Sequence, residues 1–136
     1  MKKRQSGVLM HISSLPGKYG IGSFGQSAYD FVDFLVRTKQ RYWQILPLGT
    51  TSYGDSPYQS FSAFAGNTYF IDFDILIEEG LLNEVDVKGA DFGDDPRKVD
   101  YAKIFDARRP IMEKAVARFL KADDLSDYES FVEQNA

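Results

Sequence analysis

Apolar positions in the first third of the chain fall into two continuous runs with a helical period between them. Gly7 to Ile12 (GVLMHI) and Tyr42 to Leu46 (YWQIL) have strand length and no alternation. Such runs suit strands buried on both faces, as in parallel sheets. Between them Ala28, Phe31, Val32 and Leu35 recur at helical spacing, and Ser23 and Gln26 have the spacing of a capping box. This pattern predicts a helix from about 24 to 39. Strand, helix and strand in that order make a βαβ unit, whose connection favours parallel pairing. Residues 13–25 carry Pro16 and glycines at 17, 20, 22 and 25, and residues 49–67 are rich in Gly, Ser and Thr, so both predict long irregular loops.

The second half is patterned differently. Tyr69 to Phe73 reads as a short extended piece, and Asp74 to Glu79 as one or two helical turns closed by Gly80. Residues 83–98 are acidic and read as irregular. Asp100 is placed to cap a helix running towards Ala122, with Ile104, Ile111, Ala115 and Phe119 on one face. Pro110 lies inside that pattern and predicts a kink or split. Ser126 and Glu129 form another capping-box pair before a last helix. Only two parallel strands are clear. Two such strands cannot be covered by helices and close a core alone, so either the acidic half supplies further strands or, the favoured reading, the chain is the front end of a larger fold.

Composition narrows the function classes. The chain has 136 residues, 43% of them hydrophobic, and a formal charge of -4. That length normally makes one domain, and the composition excludes disorder and collagen-like repeats. There is no cysteine, so thiol catalysis, disulfides and cysteine-ligated zinc are excluded. Residues 1–66 hold seven Lys/Arg against three Asp, and residues 67–136 hold nine against seventeen Asp/Glu, giving +4 and -8. The acidic balance argues against nonspecific nucleic-acid binding. Lys2, Lys3 and Arg4 resemble a basic leader, but the apolar run after them is too short for a signal core. No apolar stretch approaches the ~18 residues of a membrane span. A cytoplasmic location is the resulting expectation.

Several motifs compete for a chemical reading. Gly20-Ile-Gly22-Ser-Phe-Gly25 matches the glycine pattern of a dinucleotide-binding turn. Such a turn should follow its strand at once, and an acidic residue should close the second strand. Neither condition is met, so a loop needing unusual backbone angles is the simpler reading. His11, the one histidine, stands near the end of the first strand, where α/β folds place their sites. It is a candidate substrate contact, although a lone histidine is more often a satisfied structural group. No nucleophile turn supports a Ser-His-Asp triad, and no ligand cluster supports a metal or other cofactor.

The loop after the second strand carries more. Residues 53–73 hold Tyr53, Tyr58, Phe61, Phe64, Tyr69, Phe70 and Phe73, seven of the chain's twenty aromatics, interleaved with Ser, Asp, Gln and Asn. Aromatic faces beside hydrogen-bonding groups suit a sugar ring, whose CH groups stack while its hydroxyls meet polar side chains. The simplest reading of the four phenylalanines is packing; Tyr53 and Tyr58, beside Gly and Pro on a polar loop, are the better candidates for contact. Glycoside chemistry needs two carboxyls, ~5–5.5 Å apart in a retaining mechanism. Before Asp72 only Asp30, Asp33 and Asp55 are available, and none makes a convincing pair.

Four segments taken in order resemble a known family. They are His11-Ile-Ser-Ser-Leu-Pro-Gly, Tyr19-Gly-Ile-Gly, Gln40-Arg-Tyr-Trp-Gln-Ile-Leu-Pro-Leu-Gly and Tyr53-Gly-Asp-Ser-Pro-Tyr-Gln-Ser-Phe-Ser-Ala-Phe-Ala-Gly-Asn. Residues 7–82 are similar to the 4-alpha-glucanotransferases, the amylomaltases or disproportionating enzymes of glycoside hydrolase family 77. Val99-Asp-Tyr and the helix after it resemble them more weakly.

The resemblance implies an α/β fold: the first two βα units of a (β/α)8 TIM barrel, incomplete here, plus the start of an inserted helical subdomain. Residues 1–82 would belong to the barrel and residues 83–136 to the mainly helical insertion. It implies transfer of α-1,4-glucan segments between maltooligosaccharides by retaining double displacement. The catalytic acids would lie on later strands, so no catalytic residue is carried onto this chain and no cofactor or metal is implied. Substrate contact is carried onto Tyr58, as the aromatic platform, with Ser56 and Asp55 shaping the same wall and Tyr53 as a weaker contact outside the cleft. The partner is then an α-glucan, with no nucleic acid and no membrane. The chain by itself is expected to be inactive. A noncatalytic glucan-binding module and a nucleotide-binding βαβ protein are the competing classes.

Overall fold

The computed structural model describes residues 4–51 and 54–135. Its first elements are the strand β1 (Gly7–Leu9), the helix α1 (Gln26–Arg37) and the strand β2 (Tyr42–Gln44). The strands pair in parallel, with Gly7 opposite Tyr42, Val8 opposite Trp43 and Leu9 opposite Gln44. The expected βαβ unit is therefore present, in shorter strands. β1 stops early because His11 and Ile12 offer their carbonyls to Ser14 and Leu15 in a tight 3-10 turn over Ile12–Ser14. Burial on both faces is not seen. Val8 and Trp43 are half-buried, while Leu9 and Tyr42 are 58% and 61% exposed, because the described residues cover only one side of the sheet.

The start of α1 differs from its expected cap. Gly25, not Ser23, is the N-cap, and no side chain caps the helix. The Ser23 hydroxyl points elsewhere and donates to Asp72 Oδ2. A Cβ on Gly25 would collide with that same carboxylate. Asp72 in turn caps α2 (Phe73–Glu78), accepting from Asp74 N at 2.9 Å and Ile75 N at 3.3 Å. One carboxylate thus ties the loop before α1 to the start of α2.

Residues expected to be extended before α2 form instead a 3-10 turn, Thr68–Phe70, whose N-cap Asn67 accepts from Tyr69 N at 3.0 Å. Gly80 closes α2 with φ +76°, as expected of a residue without Cβ. The acidic stretch is not wholly irregular. It contains α3 (Glu84–Val87), started by Asn83 N donating to Asp86 Oδ2 at 2.9 Å. Asp86 also receives Arg118 at 2.6 Å and Lys114 at 3.3 Å, and these donors hold its carboxyl well below the usual range.

The long helix α4 (Tyr101–Phe119) starts at Asp100, whose side chain accepts from Lys103 N at 3.2 Å. Pro110 does not split it; the ring sits on an exposed position and only one rung is lost. Ile104, Ile111 and Ala115 are buried as the pattern predicts, whereas Phe119 is half-buried against Tyr128 of α5 (Ser126–Asn135). At the start of α5, Asp124 Oδ1 accepts from Ser126 N at 2.9 Å. Two apolar clusters form the core. Ile12, Leu15, Ile21, Ala28, Phe70 and Ile104 make one, and Phe73, Leu82, Ile111 and Ala115 the other. α4 contributes to both and so braces the loops against the βαβ unit.

Candidate functional site

The two parallel strands run side by side, so the segments leaving their carboxyl-terminal ends emerge together. One begins at His11 and the other at Leu46. Between them lies a cavity of about 100 Å³, lined among others by His11, Ser13, Leu46, Asp55, Asn67 and Tyr101. The loop over it is closed at its neck. Asn67 N donates to Leu48 O at 2.9 Å, and Gly49 bridges Gly66 in antiparallel fashion. Inside the loop Ser60 Oγ donates to Ser62 O at 2.6 Å, so hydroxyls stand in for a backbone ladder.

Tyr53 lies outside the described residues. Asp55 follows Gly54, and both have positive φ, +54° and +98°. Asp tolerates that conformation better than most residues. The sharp turn brings Asp55 to the cavity wall. Ser56 O accepts from Gln59 N at 3.1 Å, and Ser56 Oγ accepts a long 3.4 Å bond from Tyr58 N. This small turn presents the Tyr58 ring, which is 71% exposed. Asp55 and Pro57 line the cavity, whereas Ser56 and Tyr58 share their turn but are not among its described lining residues; the one carboxylate in that lining is Asp55. One carboxylate cannot divide acid and nucleophile roles between two groups. Asp30 and Asp33, the other candidates, are exposed on α1.

The phenylalanines of this segment divide into two sorts. Phe70 and Phe73 are buried, as expected of packing residues. Phe61 and Phe64 are 76% and 100% exposed, against that expectation. Pattern alone could not separate them, because what buries Phe70 and Phe73 is distant in sequence: Ile12, Ile104, Ile111 and Leu82. Phe61 lines a second, larger groove of about 1380 Å³ along α4, with Tyr69, Tyr101, Phe105, Met112 and Val116 among its walls. Asn67 belongs to the polar positions interleaved with the loop's aromatics, whereas the sequence assigns Tyr101 no contact role. A tyrosine just after a helix cap carries no distance information, and only the fold brings it to Ser13 and Asp55. Burial, and then the Asp55 charge, push the Tyr69 and Tyr101 hydroxyls above their usual range.

His11 is buried, its ring edge against Phe70 at 5.4 Å between centroids. Its Nδ1 accepts from Leu46 N at 3.2 Å, and burial lowers its pKa. The ring is therefore neutral near pH 7, with its proton on Nε2. The glycine motif is explained by packing. A Cβ at Gly22 would strike Ile12 O, and one at Gly20 would strike Phe92 O. That backbone contact fills the space a pyrophosphate would need.

The geometry defines an α/β segment with a polar, aromatic-rimmed site at the carboxyl ends of two parallel strands. A family model described as 4-alpha-glucanotransferase, glycoside hydrolase 77, matches residues 10–136. The chain belongs to this 4-alpha-glucanotransferase family. It is 76% identical over 135 residues to the 4-alpha-glucanotransferase of Streptococcus pneumoniae serotype 4, covering 99% of this chain and 27% of that protein. With the Thermus thermophilus 4-alpha-glucanotransferase it shares 45% over 128 residues, covering 94% of this chain and 25% of that protein. Among solved structures, the amylomaltase from Streptococcus agalactiae in complex with acarbose superposes with a TM-score of 0.92 at 60% identity. That match covers 98% of this chain and 27% of the amylomaltase. The chain thus spans about a quarter of the length of these relatives.

Proposed function

We propose that the chain is the amino-terminal segment of a 4-alpha-glucanotransferase that moves α-1,4-glucan segments between maltooligosaccharides. The observation that carries this is the exposed Tyr58 ring, on the same turn as the cavity-lining Asp55, in a chain 76% identical to an enzyme of that name. An exposed aromatic face next to hydrogen-bonding groups suits a pyranose, whose CH groups stack while its hydroxyls meet polar side chains. That the similar amylomaltase is in complex with acarbose supports an α-glucan as the substrate class.

On this reading β1, α1 and β2 are the first βα units of a (β/α)8 barrel, with residues 1–82 in the barrel and residues 83–136 opening a helical insertion. Site residues are then Tyr58 as the stacking platform, Ser56 and Asp55 on its flank, and Tyr53 as an outer contact. The nucleophile and the acid/base are supplied by polypeptide beyond this segment and act by double displacement with retention. The glycosyl-enzyme intermediate is resolved by a second sugar instead of water. A hydrophobic, sugar-filled acceptor side favours that outcome. A cytoplasmic location belongs to the same proposal.

The test is redistribution of maltotriose. The full-length enzyme is expected to yield glucose and longer maltooligosaccharides, and the 136-residue chain alone is expected to yield none. Turnover by the isolated chain would overturn the assignment of the acids. Maltooligosaccharide binding without turnover by the full-length protein would point instead to a glucan-binding module.

A further inference from the structure

The ladder between β1 and β2 ends irregularly. Met10 N donates to Gln44 O at 3.0 Å, so the next rung of a parallel ladder would run from Leu46 N to Met10 O. That carbonyl instead accepts from the Trp43 indole Nε1 at 2.7 Å. Leu46 N turns to His11 Nδ1 at 3.2 Å instead. A side-chain nitrogen thus replaces a backbone acceptor at the point where β2 hands over to Pro47 and the loop.

The substitution has a chemical condition. Nδ1 accepts only while it holds a lone pair, so the ring must be neutral with its proton on Nε2. Asp55 from the loop and Tyr101 from α4 are the titratable groups facing the same cavity, and no Lys or Arg is among its described lining residues. Two residues beyond Leu46, Leu48 O receives Asn67 N and closes the neck. The position of Leu46 therefore sets the base of the loop that carries Asp55, Ser56 and Tyr58.

We propose that His11 is a positioning residue: through Nδ1 and the Leu46 amide it fixes how the Tyr58 loop leaves β2, and hence where the platform stands against the sugar. This rests on the glucan reading of the loop. His11 touches no reacting atom in this role. Its loss moves substrate binding more than the chemical step.

The experiment uses the full-length enzyme with two variants that divide the ring. In His11→Asn the amide oxygen stands where Nδ1 stood. His11→Gln reaches towards Nε2 and offers nothing at Nδ1. The expected result is a KM for maltotriose within about threefold of the parent for His11→Asn. For His11→Gln, KM rises at least tenfold, with kcat changed by less than about threefold. Hydrogen exchange at the Leu46 amide is expected to accelerate at least tenfold in His11→Gln and to stay slow in His11→Asn. Equal effects of the two variants, or none, would overturn the proposal.

Should His11→Gln not fold, the pH dependence of KM decides. Between pH 7 and 5 the parent's KM is expected to rise as Nδ1 gains a proton, while that of His11→Asn stays flat. Coincident curves would overturn it. Failure of the loop reading is distinguishable: Tyr58→Ala would leave KM unchanged while the Leu46 amide still responded to His11→Gln. This role of His11 would then fall with it.

Discussion

The guanidinium of Arg108 lies over the ring of Phe73, its central carbon 4.1 Å from the centroid, with both side chains buried. Nη2 donates to Ile71 O at 2.5 Å, while Nε has no partner among the described residues. Burial lowers the pKa to about 10, and the nearby Asp72 charge works the other way. α4 therefore holds a cation in the second apolar cluster with incomplete hydrogen bonding. Such ions cost desolvation that a well-shaped apolar side chain avoids. Arg108→Met is expected to change unfolding free energy by about 1 kcal/mol or less. Arg108→Ala is expected to lose about 2–4 kcal/mol by leaving a cavity over Phe73. Denaturant unfolding of the full-length enzyme checks the pair; equal losses would mean that the charge itself is required.

Asp72 gives a second stability prediction. It caps α2 through two backbone donors and receives the Ser23 hydroxyl. Removing an N-cap side chain costs about 1–2 kcal/mol. Asp72→Ala is expected to lose at least that much, because the Ser23 hydroxyl also loses its acceptor. Ser23→Ala is expected to lose less, since Asp72 keeps its cap. Thermal unfolding midpoints in that order support the account, and the reverse order contradicts it.

Two groups set opposite ends of the acid response. His11 has a pKa below its ordinary 6.5, so the unfolded chain binds its proton first as pH falls. Stability is then lost on acidification from about pH 6.5 down to the folded pKa. Asp86 is held well below its ordinary 3.8, chiefly by Arg118. Its contribution is present above that value and is lost as pH falls further. His11→Asn is expected to flatten the stability curve between pH 7 and 5, and Asp86→Asn to flatten it below about pH 4. Midpoints measured across pH check both windows.

Tyr58 is where function and stability separate. Its ring is mostly exposed, so Tyr58→Ala should shift the unfolding midpoint of the full-length enzyme by little. Transferase activity on maltotriose is expected to fall more than tenfold. Tyr58→Phe keeps the stacking face and is expected to stay within about threefold. A large midpoint shift would mark Tyr58 as a packing residue.

Local pattern carried the βαβ unit, because continuous apolar runs and a 3.6-residue period are local signals. It carried α4 for the same reason: Ile104, Ile111 and Ala115 are buried as their spacing predicts. It failed where a distant partner decides. Ser23 has a capping-box sequence, yet Asp72, forty-nine residues on, takes its hydroxyl. Phe61 and Phe70 are alike in composition of surroundings, yet Ile12 and Ile104 bury only Phe70. The turn that carries Asp55, Ser56 and Tyr58 was legible because Gly, Asp and Pro force turns. Its juxtaposition with His11 and Tyr101 was not, since both arrive from other parts of the chain.

The most direct test of the central reading is a structure of the full-length enzyme with a maltooligosaccharide bound. A pyranose stacked on the Tyr58 ring, with Asp55 and Ser56 along its edge, is the predicted result. A saccharide seated elsewhere, with the Tyr58 ring covered by protein, would contradict it.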